Sequence, residues 1–113
     1  MTLGSDVYVG AYTVIYGHGG VTIGKDTLIS MHCRIISANH AMPAPGTIIR
    51  SVADVPAPIV IGQDVWLGAG VAVMAGVIIG DGCIVGAGVV VADELPPYSI
   101  AVGTPAKVIR QRA

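Results

Sequence analysis

Aliphatic residues recur at every sixth position along most of this chain. Hexads can be counted from twelve positions, and each begins with Ile, Leu or Val: Leu3, Val9, Ile15, Ile23, Ile29, Ile35, Ile61, Leu67, Val73, Ile79, Val85 and Val91. The second position is glycine in seven of the twelve hexads, and the fifth is small or β-branched in ten. A fixed short period of this kind is typical of a solenoid in which each repeat packs on its neighbours.

The physical basis of the hexad is a short strand followed by a turn. A strand alone alternates its side chains with a period of two, so a period of six needs the turn. The aliphatic first residue is expected to fill the interior, the small fifth residue to point inward near a corner, and the glycine to ease the bend through its backbone freedom. Three such sides would close a triangular coil, and coils would stack about 4.8 Å apart. The pattern therefore predicts one all-β domain over residues 1–113, a parallel β-helix.

The hexads are interrupted once at length, between Ala41 and Val60. This segment holds Pro43, Pro45, Pro56 and Pro58, a density of proline that is incompatible with a regular ladder. A loop of this length in a small solenoid is more often functional than neutral. We therefore expect residues 41–60 to protrude from the prism and to take part in function.

A weaker period of eighteen distinguishes one side of the prism. The second position of every third hexad is not glycine: it holds Tyr16, Ile36, Met74 and Ala92. Two interpretations remain open at this stage. Either the backbone geometry of the corner after this side is less restricted, or this side packs on another subunit.

Composition excludes several classes of function. The net charge is −1 and no basic stripe is present, so nucleic-acid binding has little support. The uncharged run Val65–Gly80 is interrupted by glycine and is shorter than the roughly 20 apolar residues of a membrane-spanning helix. No secretory signal pattern opens the chain, which predicts a cytoplasmic protein. Cys33 and Cys83 occupy small inward positions and are expected to be inert core residues.

The candidate chemistry lies at the root of the loop. Asn39 occupies a fifth position that is elsewhere small or apolar, so its amide is expected to anchor the turn by hydrogen bonds to backbone. His40 follows in an outward sixth position. The unperturbed imidazole pKa near 6.5 suits a general base at neutral pH.

Several stretches resemble the hexapeptide-repeat acyltransferases, in particular the maltose and galactoside O-acetyltransferase branch and its polysaccharide-modifying relatives. The matching stretches are Val-Thr-Ile-Gly-Lys-Asp at 21–26, Ser-Ala-Asn-His at 37–40, Ile-Gly-Gln-Asp-Val-Trp-Leu-Gly-Ala-Gly at 61–70 and the closing segment 96–110, which contains Gly-Thr-Pro-Ala-Lys. The resemblance covers nearly the whole chain. It implies a left-handed β-helix, a homotrimer, acetyl-CoA as donor and a sugar or polysaccharide hydroxyl as acceptor, with active sites between neighbouring prisms.

The resemblance also implies roles for individual residues. His40 matches the catalytic base, and Asp54, the single acid of the loop, stands where relatives carry a glutamate that orients the histidine. Trp66 matches an aromatic residue that lines the cleft. It is assigned to both the acetyl-CoA donor and the acceptor, and Asn39 is assigned to the acceptor. No metal is required.

The donor-binding positions implied by the resemblance lie later in the chain. The backbone of Ala69 and Ala87 matches groups that hold the pantetheine arm, while Lys107 and Arg110, in the C-terminal tail 97–113, match cations that meet the phosphates of CoA. Arginine suits phosphate through its fork of donors. The chain departs from the family pattern at Gly10, where maltose-type relatives carry a polar asparagine, and at 92–93, where Ala-Asp replaces Thr-Lys.

Two other functions remain as alternatives. A metalloenzyme like the γ-carbonic anhydrases needs three histidines around one ion, and His18, His32 and His40 lack the close spacing of that family. A β-helix without catalytic activity could serve as a scaffold. We interpret His18 and His32 as structural or solvated, and we expect the first coil to be covered by a partner or by a segment that is missing from a truncated form.

Overall fold

The computed structural model describes residues 1–113 as short strands wound around one axis. Sheet A contains β1 (Thr2–Leu3), β4 (Val21–Ile23), β9 (Ile59–Ile61) and β12 (Ile78–Ile79). Sheet B contains β2 (Tyr8–Val9), β5 (Leu28–Ile29), β10 (Trp66–Leu67), β13 (Ile84–Val85), β15 (Ser99–Val102) and β16 (Lys107–Gln111). Sheet C contains β3 (Val14–Tyr16), β6 (Arg34–Ile36), β11 (Ala72–Val73) and β14 (Val90–Val91).

Each successive coil adds one strand to every sheet. Four coils are formed by β1–β3, β4–β6, β9–β11 and β12–β14, and each strand of the first three coils pairs in parallel with the corresponding strand of the next coil. The chain turns from sheet A to B, from B to C and from C back to A, at corners that we call A–B, B–C and C–A. The predicted fold, a left-handed parallel β-helix with three sides, is confirmed.

The interior is filled by the two predicted positions of the hexad. From the second coil onward, the first-position residues are at most 1% exposed, and the fifth-position residues of the prism are buried beside them. Cys33 and Cys83 are fully buried among these aliphatic side chains, as predicted, and burial raises the pKa of both thiols. Since the thiolate is the reactive form, neither cysteine is a nucleophile.

The second position of the hexad requires glycine for a different physical reason from the one expected. A Cβ atom on Gly10 would lie 2.5 Å from the backbone nitrogen of Met31, and one on Gly68 would lie 2.7 Å from that of Ala87. Neither glycine has a positive φ. Glycine is therefore needed because the next coil passes too close for a side chain, and not because of the backbone angles of the bend.

The left-handed conformation occurs instead at the tips of the corners. Asp6, Asp26 and Asp64 occupy the A–B corner with φ of 58°, 61° and 54°. Aspartate tolerates this conformation because its short polar side chain can bond locally.

The long interruption leaves the prism at the C–A corner. Strand β7 (Ala38–His40) pairs in antiparallel register with β8 (Asp54–Pro56), and a 3₁₀ helix (Ile49–Ser51) lies between them. The hairpin is the fourth sheet of the molecule and pairs with none of the other three. The C–A corner is also the one preceded by non-glycine second positions, so the period of eighteen marks the corner where the chain departs from regular winding.

The structure corrects the expectation for Asn39. The Asn39 side chain is exposed and forms no hydrogen bond, and the buried anchor of this corner is Ser37. The Ser37 hydroxyl donates to the Tyr16 carbonyl at 2.6 Å and accepts from the Gly19 amide at 2.8 Å. The hexad count places Asn39 inward because it assumes a further side of the prism, whereas the chain begins its hairpin here.

The two ends of the prism differ in how they are covered. At the C-terminal end, β16 folds back antiparallel on β15, and Ala106 packs against the core. At the other end, Leu3 is 45% exposed and Val9 is 39% exposed, because no coil lies beneath them. The chain forms no helix of the length and hydropathy that a membrane crossing requires.

Candidate active site

His40 is held at the root of the hairpin with one ring nitrogen engaged. It is the last residue of β7, its side chain is exposed, and its Nδ1 lies 2.9 Å from the backbone oxygen of Ala41. A carbonyl oxygen can only accept, so Nδ1 must carry the proton of this bond. Nε2 of the neutral ring then keeps its lone pair, which is the state that a general base requires.

Asp54 lies directly opposite His40 in the antiparallel register, but its carboxylate contacts other groups. The Tyr16 hydroxyl donates to Asp54 Oδ2 at 3.3 Å, and His18 Nε2 lies 3.9 Å from Asp54 Oδ1. The group that orients the His40 ring is thus the Ala41 carbonyl. The role of Asp54 toward His40 stays a prediction.

Tyr16 and His18 complete a polar cluster that the sequence interpretation did not assign to function. Their rings are 5.9 Å apart and tilted by 42°. The negative charge of Asp54 raises the pKa of Tyr16, with smaller contributions from burial and from the hydrogen bond, so the phenol remains a neutral donor. The sequence did contain a signal for this cluster. His18 lies in the C–A corner, one coil before the same corner from which the β7–β8 hairpin extends.

Trp66 lies on sheet B with its side chain directed outward. It is 49% exposed, lies in register between Leu28 and Ile84, and its Nε1 is 3.3 Å from the Ser30 hydroxyl. The core of its own chain lies behind it. Its indole face is therefore open to another molecule.

Ala69 and Ala87 stack on each other at the B–C corner in successive coils. The Ala69 carbonyl accepts from the Gly88 amide at 2.8 Å, while the amide groups of Ala69 and Ala87 donate to no group of the chain. A Cβ atom at Gly70 or Gly88 would meet nothing within 4 Å. This corner thus presents unpaired backbone donors beside open space.

Lys107 and Arg110 are exposed on β16, at the C-terminal end of sheet B, and neither forms an ion pair within the chain. Arg112, which the sequence interpretation did not single out, fastens the end of this tail. Its Nη1 donates to the Gly82 carbonyl at 2.9 Å and lies 3.2 Å from Asp64 Oδ2. Both partners are distant in sequence, so no local pattern marks this residue.

The candidate residues form two groups that one chain does not bring together. His40, Asp54 and Asn39 lie on the hairpin that leaves the C–A corner, whereas the remaining predicted residues lie on sheet B or at the B–C corner: Trp66, Ala69, Ala87, Lys107 and Arg110. In a triangular prism the C–A corner faces away from sheet B, and a filled core separates them.

The histidines do not form a metal-binding set. The structure contains no group of three or more His, Cys, Asp or Glu side chains that could hold an ion. His18 faces Asp54, and His32 stacks on Tyr12. The ligand set that a γ-carbonic-anhydrase-like site requires is therefore not assembled within this chain.

Comparison with known proteins identifies the repeat. Residues 58–93 match the family model of the bacterial transferase hexapeptide (six repeats). The chain carries the hexapeptide repeat of bacterial transferases. This hexapeptide-repeat chain is 37% identical over 112 residues to a Mycobacterium tuberculosis protein proposed to be an acetyltransferase, a match that covers 99% of this chain and 37% of that protein.

Solved structures of the same repeat superimpose closely. A maltose O-acetyltransferase from Clostridium difficile 630 has a TM-score of 0.90 at 30% identity, covering 98% of this chain and 58% of that one. A hexapeptide-repeat acetyltransferase of Vibrio cholerae in complex with acetyl-CoA has a TM-score of 0.89 at 30% identity, covering 96% and 58%. The hexapeptide-repeat chain thus spans between about a third and three fifths of the length of these proteins.

Proposed function

We propose that this chain is an acetyl-CoA-dependent O-acetyltransferase that acts on a sugar or polysaccharide hydroxyl. The observation that carries the proposal is the contact of His40: its Nδ1 lies 2.9 Å from the Ala41 carbonyl oxygen, and Nε2 of the exposed ring has no partner within the chain. The similarity to a maltose O-acetyltransferase and to an acetyltransferase with bound acetyl-CoA supports the choice of donor and acceptor.

The proposed reaction is a direct transfer. His40 Nε2 takes the proton of the acceptor hydroxyl while the oxygen attacks the thioester carbonyl of acetyl-CoA. The tetrahedral intermediate collapses, the carbon–sulfur bond breaks, and the imidazolium returns its proton to the departing thiolate. The products are the acetyl ester and free CoA, and no covalent enzyme intermediate forms.

Asp54 is proposed to support the base electrostatically. A carboxylate opposite His40 favours the imidazolium that forms as the proton is taken. Tyr16 and His18 also contact that carboxylate. Asn39, exposed on the same strand, and Trp66 are proposed to contact the acceptor.

The donor is proposed to lie along the B–C corner. The unpaired amides of Ala69 and Ala87 suit the carbonyl groups of a pantetheine arm, and the unpaired cations Lys107 and Arg110 suit its phosphates. In this proposal the phosphates lie near the C-terminal end of the prism, beside Lys107 and Arg110, and the thioester lies nearer the first coils.

A complete site is proposed to need a second copy of the chain. His40 leaves the prism at the C–A corner and the donor groups lie along the B–C corner, at the other end of sheet C, so the base of one protomer is expected to meet the donor of a neighbour. A homotrimer, with Trp66 lining the cleft between protomers, satisfies this requirement.

The test is turnover of acetyl-CoA by the purified chain, measured as release of free thiol, against sugars, amino sugars and antibiotics. The proposal expects thiol release that depends on a sugar acceptor. Binding of acetyl-CoA without transfer to any acceptor would favour the scaffold alternative, and transfer only to amines would replace the hydroxyl by an amine as acceptor. Sedimentation at micromolar concentration tests the trimer, and a monomer would contradict it.

A further inference from the structure

Two aromatic rings stack on the outside of the B–C corner in the first two coils. The rings of Tyr12 and His32 have centroids 5.3 Å apart and are within 10° of parallel. Tyr12 is 81% exposed, so the stack stands in solvent and not against the core. Neither residue has a role in the proposed chemistry.

Both residues are held in a conformation that large side chains avoid. Tyr12 and His32 each have φ of 60°, and the same position in the next two coils is occupied by Gly70 and Gly88, with φ of 72° and 71°. The left-handed region costs a bulky residue roughly 1–3 kcal/mol, and such strain clusters at ligand sites. Tyr98, the other left-handed tyrosine, has a packing reason, because its ring lies against Gly82.

The stack lies at the end of the proposed donor path. The B–C corner is open at Gly88 and Gly70, beside the unpaired amides of Ala87 and Ala69. Toward the first coil this open path meets His32 and then Tyr12. A donor whose phosphates lie at the C-terminal end of the prism would therefore bring its thioester toward the stack.

We propose that the Tyr12–His32 stack is a platform that binds the acceptor, and that the acceptor presents a pyranose ring. The proposal rests on the proposed function and specifies its acceptor site. An aromatic ring has a negative face, which attracts the weakly positive C–H groups on the flat face of a pyranose. The phenol of Tyr12 can in addition hydrogen-bond a ring hydroxyl. An open-chain polyol has the same hydroxyls but no flat face, so it should be a poor acceptor.

The experiment compares acceptor kinetics in the wild type and in three variants of Tyr12. The acceptors are methyl glucoside, maltose and N-acetylglucosamine, with sorbitol and mannitol as open-chain controls; the pyranoside with the highest kcat/KM serves as the probe. Tyr12→Ala removes the platform, Tyr12→Phe keeps the ring without the hydroxyl, and Tyr12→Asn removes the ring while suiting the left-handed backbone.

The expected result separates acceptor binding from folding and from donor binding. Tyr12→Ala and Tyr12→Asn should raise the KM for the pyranoside about tenfold, while Tyr12→Phe should change it less than about threefold. The KM for acetyl-CoA should change less than about twofold in all three variants, because these substitutions weaken binding of the acceptor and do not alter the residues proposed to bind the donor. The Tm of Tyr12→Asn should not fall, since asparagine relieves backbone strain.

Two outcomes would overturn the platform. One is an acceptor KM that stays within about twofold of wild type in both Tyr12→Ala and Tyr12→Asn. The other is transfer to the open-chain polyols as efficient as to the pyranosides. A wild type that does not bind acetyl-CoA, or that binds it and transfers to no acceptor, would instead contradict the proposed function.

Discussion

The two antiparallel hairpins of this parallel prism are fastened in different ways. The β15–β16 hairpin extends sheet B, and its end is tied by Arg112 to Gly82 and Asp64. The β7–β8 hairpin forms a sheet of its own and meets the prism at its root, through Ser37 and through the contacts of Tyr16 with Asp54. The hairpin proposed to hold the donor is continuous with the scaffold, and the one proposed to carry the base stands out from it.

This difference matches the demands of the proposed chemistry. Phosphate contacts act equally on bound substrate and transition state, so they need a fixed charge and little else. A base that must reach a donor on a neighbouring protomer needs to extend beyond its own prism. Substitutions in the β7–β8 hairpin should therefore change kcat or folding, and substitutions in β16 should change the donor KM.

The largest expected effect comes from His40→Ala. Loss of the base should lower kcat by about 10²- to 10⁴-fold, the usual contribution of general acid–base catalysis. Affinity for CoA should stay within about threefold, because the donor groups lie on other elements. Both values can be measured by thiol release and by direct titration with CoA.

The control for this variant is His18→Ala at the same corner. His18 contacts Asp54 and not the proposed reaction centre, so its removal should lower kcat less than removal of His40. Near-full activity of His40→Ala would show that the assigned base is wrong and would make His18 or His32 the candidate.

The sequence predicts the fold far better than it predicts the site, for a physical reason. Each hexad is a local unit, so its inward residues can be counted without knowledge of any other coil. Ser37 becomes an anchor only because Gly19 and Ala57 lie beside it, and Arg112 becomes a fastener only through Gly82 and Asp64. These partners are set by the winding of the whole prism, which a local count does not contain.

The next effect concerns the root of the β7–β8 hairpin. Ser37 is fully buried and makes two hydrogen bonds through its hydroxyl. Ser37→Ala leaves the Gly19 amide and the Tyr16 carbonyl without this partner, and should lower the free energy of unfolding by about 1–3 kcal/mol. Urea denaturation at one protein concentration, which removes effects of oligomerisation, measures the change.

Ser51→Ala is the matched control within the same excursion. Its hydroxyl also donates to a backbone carbonyl, that of Ile48, at 2.6 Å, but the residue is exposed. Water can replace that bond, so the free energy of unfolding should change by less than about 0.5 kcal/mol. Equal losses in Ser37→Ala and Ser51→Ala would contradict the anchoring role of Ser37.

The last effect is expected in β16 and should appear in the donor KM alone. Arg110 is exposed and unpaired, so its guanidinium is free for a phosphate of CoA, and a hydrogen bond to a charged group contributes about 1.5–3 kcal/mol. Arg110→Ala should therefore raise the KM for acetyl-CoA about tenfold or more and leave kcat at saturating donor nearly unchanged, because the contact exists in ground and transition states alike.

Arg112→Ala removes the same charge from the same tail, but that charge already faces Asp64, so its effect on KM should be smaller. The wild type should also bind CoA more tightly than dephospho-CoA, and Arg110→Ala should narrow this preference. Equal affinity of the wild type for the two ligands, or a KM for acetyl-CoA in Arg110→Ala that is no higher than in Arg112→Ala, would contradict the assignment of Arg110 to the phosphates of CoA.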